Sequence, residues 1–152
     1  RCSHCPSNMD SRRSEEDDLA VTSLPACPFC ARVERGEIAL GNDLAAAFPD
    51  GFPVSAGHTL VVSRRHVPDY FTLSNEEQAA IWTLVPEVKR RVDVEHRPSG
   101  YNVGINIGRA AGQTVWHAHV HVIPRYEGDV EDPRGGVRWV VGAKARYWKK
   151  PG

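Results

Sequence analysis

Three of the seven histidines stand at positions 117, 119 and 121, alternating with Ala118, Val120 and Val122. A β-strand repeats its side chains every two residues, so this pattern predicts three imidazoles on one face with the apolar residues packed behind. A neutral imidazole carries one lone pair and one N–H, so such a row can attack an electrophile, stabilise charge on nearby oxygens or ligate a metal as a His₃ site. The preceding Gly108-Arg109-Ala110-Ala111-Gly112-Gln113 consists mostly of small residues. These either let backbone N–H groups approach an anion closely or simply turn the chain. The four cysteines form two C-x-x-C pairs, Cys2/Cys5 and Cys27/Cys30, a spacing suited to a metal knuckle or a redox pair. The 21 residues between Cys5 and Cys27 approach zinc-ribbon spacing. Residues 10–18 are dense in charge, however, and no alternating apolar strand lies between the pairs, which argues against a tetrathiolate ribbon.

Around these residues, turn formers alternate with short apolar stretches. Residues 37–40 and 44–48 flank Gly41-Asn42-Asp43, a hairpin signal. Turn formers crowd positions 49–57, where Asp50 before Gly51 suits a tight turn, and residues 58–63 have strand composition. Ser74 and Glu77 have capping-box spacing, and Ile81, Leu84, Val85, Val88 and Val92 follow at helical spacing. Pro86 should kink or divide this helix, and its apolar residues, Trp82 included, are expected in the core. Residues 101–107 and 115–123 read as further strands. The expected fold is α+β, a mostly antiparallel sheet with one long helix packed on it. Residues 1–22 are expected to be a mobile extension, residues 23–135 the domain, and residues 136–152 a basic tail on a solvated surface.

The chain has 152 residues, enough for one domain with a real core, and its 19 basic and 19 acidic side chains cancel. The neutral balance argues against dedicated nucleic-acid binding or a polybasic membrane anchor, but leaves room for a small anionic ligand held by local charge. No apolar run is long enough to cross a bilayer, and no export segment is visible at the start. With thiols in C-x-x-C pairs, the expected compartment is reducing and cytoplasmic.

Trp116-His117-Ala118-His119-Val120-His121-Val122-Ile123-Pro124-Arg125 resembles the signature of the histidine triad (HIT) superfamily. Asn106-Ile107-Gly108-Arg109-Ala110-Ala111-Gly112-Gln113-Thr114 resembles its phosphate loop, and Gly57-His58-Thr59-Leu60-Val61-Val62 its central strand. The likeness spans residues 27–125. It implies a nucleotide cleaved at its α-phosphorus, with His119 as nucleophile forming a nucleotidyl-histidine that water then hydrolyses. His121 would contact a phosphate oxygen and Thr114 the leaving-group oxygen. Asn106, Gly112 and Gln113 would line the phosphate or leaving group. The resemblance further implies that His58 orients the catalytic face and that Asp50 binds the ribose hydroxyls. Phe48 and Ile38 suit either a base pocket or plain core.

Cys27-Pro28-Phe29-Cys30 is similar to the pair in zinc-bearing bacterial members. By that likeness Cys27, Cys30, His66 and His117 would form a closed structural zinc site. His117 then needs a different direction from His119, which requires the strand to twist or to begin near it. Cys2, Cys5 and His4 match nothing in the family pattern. The resemblance also implies a homodimer with a continuous sheet. The phosphate loop looks like that of the dinucleoside polyphosphate hydrolases of the fragile-histidine-triad branch, whereas the cysteines and His66 point to members acting on nucleoside phosphoramidates. Two other classes stay open: a non-catalytic nucleotide-binding or scaffold module, and a His₃ catalytic metal site.

Overall fold

The structure, a computed structural model, describes residues 27–148. The Cys2/Cys5 pair and the expected extension 1–22 lie outside the described residues. One sheet of five antiparallel strands carries the molecule, in the order β1-β2-β3-β5-β4. The elements are α1 (Pro28–Glu34), β1 (Leu40–Gly41), β2 (Ala45–Pro49), β3 (Thr59–Ser63), α2 (Asn75–His96), β4 (Gly100–Ile105), β5 (His119–Arg125) and α3 (Gly142–Ala145), with single 3₁₀ turns between some of them. This is the α+β, antiparallel architecture the sequence predicts. None of the described helices is long and apolar enough to cross a membrane.

The β1–β2 hairpin forms where expected. Asn42 Oδ1 accepts from the backbone N–H of Leu44 and Ala45, at 3.1 and 2.8 Å, and so closes the turn with its own side chain. Side chains then sort by parity. Ala45, Ala47, Val61, Val120 and Val122 face α2 and its Ile81, Leu84, Val88 and Val92. Ala46, Phe48, Leu60 and Val62 face the opposite way, toward Phe29, Val33 and Ile38. The second face is the one that His119 and His121 share, since they stand opposite Val62 and Leu60 in the β3–β5 register.

Helix α2 starts at the predicted capping box: Glu77 N–H donates to Ser74 Oγ at 3.2 Å, and Ser74 N–H to Glu77 Oε2 at 2.8 Å. It runs through Pro86 as one element and is not divided. Pro86 removes the donor for the Trp82 carbonyl, but both residues are on the water-facing side, where the orphaned group is solvated and the helix tolerates the loss. The expectation that Trp82 is core is therefore corrected. It is 45% exposed, and its Nε1–H donates to Tyr70 Oη at 2.8 Å. The helix returns to the sheet at Gly57 (φ +81), where an added Cβ would come within 2.8 Å of His96 Cδ2 and 3.0 Å of Val92 Cγ1.

The last strand is shorter at its start than the alternation suggests. It begins at His119, not at position 115. Ala118 N–H donates to Val67 O at 2.6 Å, and His117 N–H closes a tight turn on Val115 O at 2.9 Å, so residues 115–118 are held by other partners before the ladder begins.

Candidate active site and metal centre

Because β5 begins at His119, His117 is not bound by the strand's alternation, and the expectation of three imidazoles on one face is corrected. The His117 ring turns into a fully buried position, where its Nε2–H donates to Ser63 O at 2.8 Å. That bond leaves the Nδ1 lone pair facing Cys27 Sγ and Cys30 Sγ, each at 3.5 Å. His66 Nδ1 lies 3.3 Å from Cys30 Sγ. The ligand atoms of Cys27, Cys30, His66 and His117 all fall within 4.8 Å of one another, so this cluster can bind a metal. With zinc–sulfur bonds of about 2.3 Å and zinc–nitrogen bonds of about 2.0–2.1 Å, tetrahedral ligand atoms stand roughly 3.4–3.8 Å apart, which matches these contacts. A Ser63 carbonyl that fixes the ligand tautomer is the outer-shell support such a site needs. Burial, the neighbouring Cys27 thiol and Glu34 push the Cys30 thiol up to about 11, so without a metal it holds its proton. The His₃ arrangement is not formed: His117 joins the thiols, away from the side chains of His119 and His121.

His119 is aimed by the same residue. Its Nδ1 lies 2.7 Å from His117 O, and a carbonyl can only accept, so the proton sits on Nδ1 and the Nε2 lone pair is free. The Phe29 ring packs edge-on against His119 at 5.1 Å between centroids and lies tilted against Phe48 at 5.6 Å. Phe48 and Ile38 belong to this apolar cluster beside the triad.

A second chain of contacts fixes His121. Val54 N–H donates to His58 Nδ1 at 3.3 Å, which puts the His58 proton on Nε2, 3.0 Å from His121 Nδ1. His121 therefore accepts at Nδ1 and presents Nε2–H. Burial, followed by the nearby His119 and His58, drives His121 down to about 4, and burial also lowers His58 against the opposing pull of Asp50. Both rings are neutral near pH 7. Asp50 Oδ2 lies 3.4 Å from His58 Nδ1 and 3.9 Å from His121 Nδ1, while Oδ1 accepts from Phe52 N–H at 2.9 Å. Asp50 is thus the turn former the sequence suggests and also stands beside the histidine pair. These three groups are close enough to hold a cation. His58, anchored by the Val54 N–H, and His121 spend their facing nitrogens on each other, so a hydrogen-bond chain accounts for the geometry.

The Gly108–Gly112 turn borders the site, with Gly112 in the left-handed region at φ +84, where other residues are strained. Gln113 is buried and both ends of its amide are hydrogen-bonded. Oε1 accepts from Gly108 N–H at 2.8 Å, and Nε2 donates to Pro68 O at 2.8 Å and Val115 O at 3.1 Å. Its side chain holds the loop closed, with both amide hydrogens spent on backbone carbonyls. Thr114 is exposed and Asn106 half-buried at the ends of this loop. Sequence reasoning missed Phe29, Ser63 and Val54. Phe29 sits inside the C-P-F-C motif and Ser63 ends an apolar strand as a fully buried polar residue, so both left a trace. Val54 acts through its backbone and left none.

The HIT domain family model matches residues 32–128. An uncharacterised 16.1 kDa HIT-like protein of Mycoplasma pneumoniae is 39% identical over 104 residues, covering 66% of this chain and 72% of that one. The AP-4-A phosphorylase of Mycobacterium tuberculosis is 35% identical over 117 residues, covering 74% of this chain and 60% of the relative. A zinc-bound histidine triad family protein from Mycobacterium smegmatis superposes with a TM-score of 0.62 at 30% identity, over 80% of this chain and 94% of that structure. With the paired His119 and His121 on one strand face and the loop before them, these likenesses place the chain in the histidine triad family.

Proposed function

We propose that this protein is a nucleotide hydrolase or transferase that cleaves at the α-phosphorus through a nucleotidyl-histidine intermediate on His119. The observation that carries the reading is the 2.7 Å bond from His119 Nδ1–H to His117 O, which fixes the ring so that Nε2 is the nitrogen left to attack. In the first step the Nε2–P bond forms as the bond from phosphorus to the leaving group breaks, and the leaving group takes a proton. In the second, water attacks phosphorus, the N–P bond breaks, and His119 is regenerated. His121 Nε2–H stabilises charge on a phosphate oxygen, and His58 holds His121 in the tautomer that can do so. Thr114 reaches the leaving-group oxygen. Asn106 and the Gly112 backbone contact phosphate, and Gln113 acts by keeping the loop closed. Asp50 takes the ribose hydroxyls.

Zinc held by Cys27, Cys30, His66 and His117 is read as structural, because a closed Cys₂His₂ set leaves no position for substrate. Substrates are dinucleoside polyphosphates or nucleoside phosphoramidates, and the likeness to an AP-4-A phosphorylase supports the first. We assign the domain to residues 23–135 and read the protein as cytoplasmic, in keeping with its reduced thiols. We also propose a homodimer joined at β4, the sheet-edge strand, whose outer backbone groups can pair with a second copy. Sedimentation across a concentration series should show it.

The test of mechanism is rapid quench with a substrate labelled in the nucleotide, then peptide mapping of the acid-labile adduct. Label on His119, and loss of both label and turnover in His119→Ala, are expected. Label on His117 or His121, or near-normal turnover in His119→Ala, refutes the mechanism. Binding without turnover of any substrate favours the scaffold reading.

A further inference from the structure

The Cys27/Cys30 pair has two chemistries open to it, and a structural metal accounts for one of them. C-x-x-C is also the spacing at which two thiols close into a disulfide. Both cysteines are free thiols, Cys27 at the N-cap of α1 and Cys30 in its first turn. Their sulfurs lie within 4.8 Å of each other, in one cluster with the ring nitrogens of His66 and His117. Rotation of the two side chains closes such a gap to the roughly 2.0 Å of a disulfide bond. The site is also open at its edge. His66 is exposed and both cysteines are half-buried, so a small oxidant reaches this corner without unfolding the domain.

What the two sulfurs hold together leads to His119 by two routes. On one side α1 carries Phe29, whose ring stands edge-on to His119 at 5.1 Å and to His117 at 6.0 Å. On the other, His117 turns Nδ1 to both sulfurs while its carbonyl accepts from His119 Nδ1–H. A metal at the cluster therefore ties the helix bearing Phe29 to the residue that aims the nucleophile. A disulfide takes both sulfurs out of that set and leaves His66 and His117. Two imidazoles are half of a closed tetrahedral site and hold zinc far less tightly than all four ligands. Without the metal, α1 keeps only its apolar contacts and the Arg32 bond to Pro49 O.

We infer that Cys27 and Cys30 are a modification site: a peroxide joins them in a reversible disulfide that expels the zinc, frees α1 and lowers nucleotide turnover. The inference rests on zinc at this cluster, as read above. Ligation keeps both sulfurs as thiolates, the form that attacks a peroxide. One thiolate bonds to a peroxide oxygen as the O–O bond breaks, and hydroxide leaves, giving a sulfenic acid. The second thiolate attacks that sulfur, the S–S bond forms, the S–O bond breaks, and a second hydroxide leaves. The two sulfurs together give up two electrons, and one peroxide takes them. A dithiol reverses the change by thiol–disulfide exchange, ending as a disulfide itself, and the restored thiols take zinc back.

The test treats the zinc-loaded full chain with hydrogen peroxide and follows released zinc with a chromophoric chelator. Thiols are alkylated before and after reduction, and the tryptic peptide of residues 14–32 is mapped, which holds Cys27 and Cys30 but neither Cys2 nor Cys5. About one zinc per chain should leave in step with a Cys27–Cys30 disulfide inside that peptide. Amide exchange in α1 should rise, and turnover of adenosine 5′-phosphoramidate should fall about tenfold or more as His119 loses its support. Dithiothreitol with added zinc should restore all of these. A Cys2→Ser/Cys5→Ser variant should respond as the wild type does. Zinc retained while peroxide oxidises Cys2 and Cys5, or sulfinic acids in place of the disulfide, overturns the inference and leaves the structural zinc standing. Full turnover and unchanged α1 exchange in the oxidised, zinc-free protein overturn it as well. If the untreated protein carries no zinc at Cys27 and Cys30, the metal reading and the inference fall together.

Discussion

Each catalytic-face histidine is defined by a partner on its far nitrogen: a carbonyl for His119, an imidazole for His121, and a backbone N–H for His58. Removing the nucleophile abolishes the covalent route, so His119→Ala should lose several orders of magnitude in kcat. His121→Ala loses charge stabilisation alone, and a drop of about 10²–10³ is expected. With His121 held down to about 4, kcat should show no acid limb from it at mildly acidic pH. A limb near the ordinary imidazole pKa that vanishes in His121→Asn contradicts the assignment. On the sugar side, Asp50→Ala should weaken nucleoside monophosphate binding by roughly 1.5–3 kcal/mol and shrink discrimination against 2′-deoxy analogues. Titration calorimetry with both sugars measures this, and an unchanged ribose preference rules it out. The alternation of residues 117–121 makes His119 and His121 legible in the sequence. The direction of His117 is not, because the Ala118 N–H goes to Val67 O, a partner 51 residues back along the chain, which delays the start of the strand. Nor does a glutamine's letter tell whether its amide faces a ligand or, as Gln113 does, closes its own loop.

Among the elements, α1 depends most on what it is tied to. It spans seven residues, buries none of them fully, and has no side-chain cap at Cys27. Helices this short are unstable alone. What holds α1 is Phe29 and Val33 against the sheet, the Arg32 bond to Pro49 O at 2.8 Å, and the thiols at its first turn. Zinc at those thiols would anchor α1 and, through Phe29, the ring that leans on His119. Elemental analysis should give about one zinc per chain, and loading should release protons because the ligands bind as thiolates. Cys27→Ala should lose the metal and raise amide exchange throughout α1. Zinc retained in His66→Ala but lost in Cys2→Ala would shift the site to the N-terminal cysteines. The sequence foretold most element identities here, since the hairpin and the capping box are local signals. It erred on Trp82, whose apolar character fits helical spacing loosely but which lies one position past the buried Ile81, outside the stripe.

For the whole molecule, the turn after β3 that carries His66 and the N-terminus of α2 are joined by an ion pair whose loss should be visible in acid. Glu77 accepts from Arg65 Nε and Nη2 at 2.8 and 2.7 Å while also capping α2, so it links the turn carrying His66 to the helix N-terminus. The Arg65 guanidinium, together with the Ser74 N–H, holds the Glu77 carboxyl at about 2. In the unfolded chain it titrates near 4.5, so between these values the unfolded state binds the extra proton. Stability from Glu77 is therefore full above about 4.5 and declines as pH falls toward 2. His121 acts in a higher window. Its unfolded ring takes a proton near 6.5 and its folded ring only near 4, so stability also declines as pH drops across that range and is level above it. Thermal melts of the metal-free protein should show a plateau at neutral pH, a first decline below about 6.5 and a second below about 4.5. Glu77→Gln should lower the plateau and make the second decline shallower, the ion-paired Asp129 and Asp132 still contributing to it, and leave the first in place. His121→Asn should make the first shallower, the buried His58 and His117 still contributing to it, and spare the second. A Glu77→Gln protein whose melting temperature follows the wild-type slope below pH 4.5 would show that the ion pair does not couple the turn to the helix.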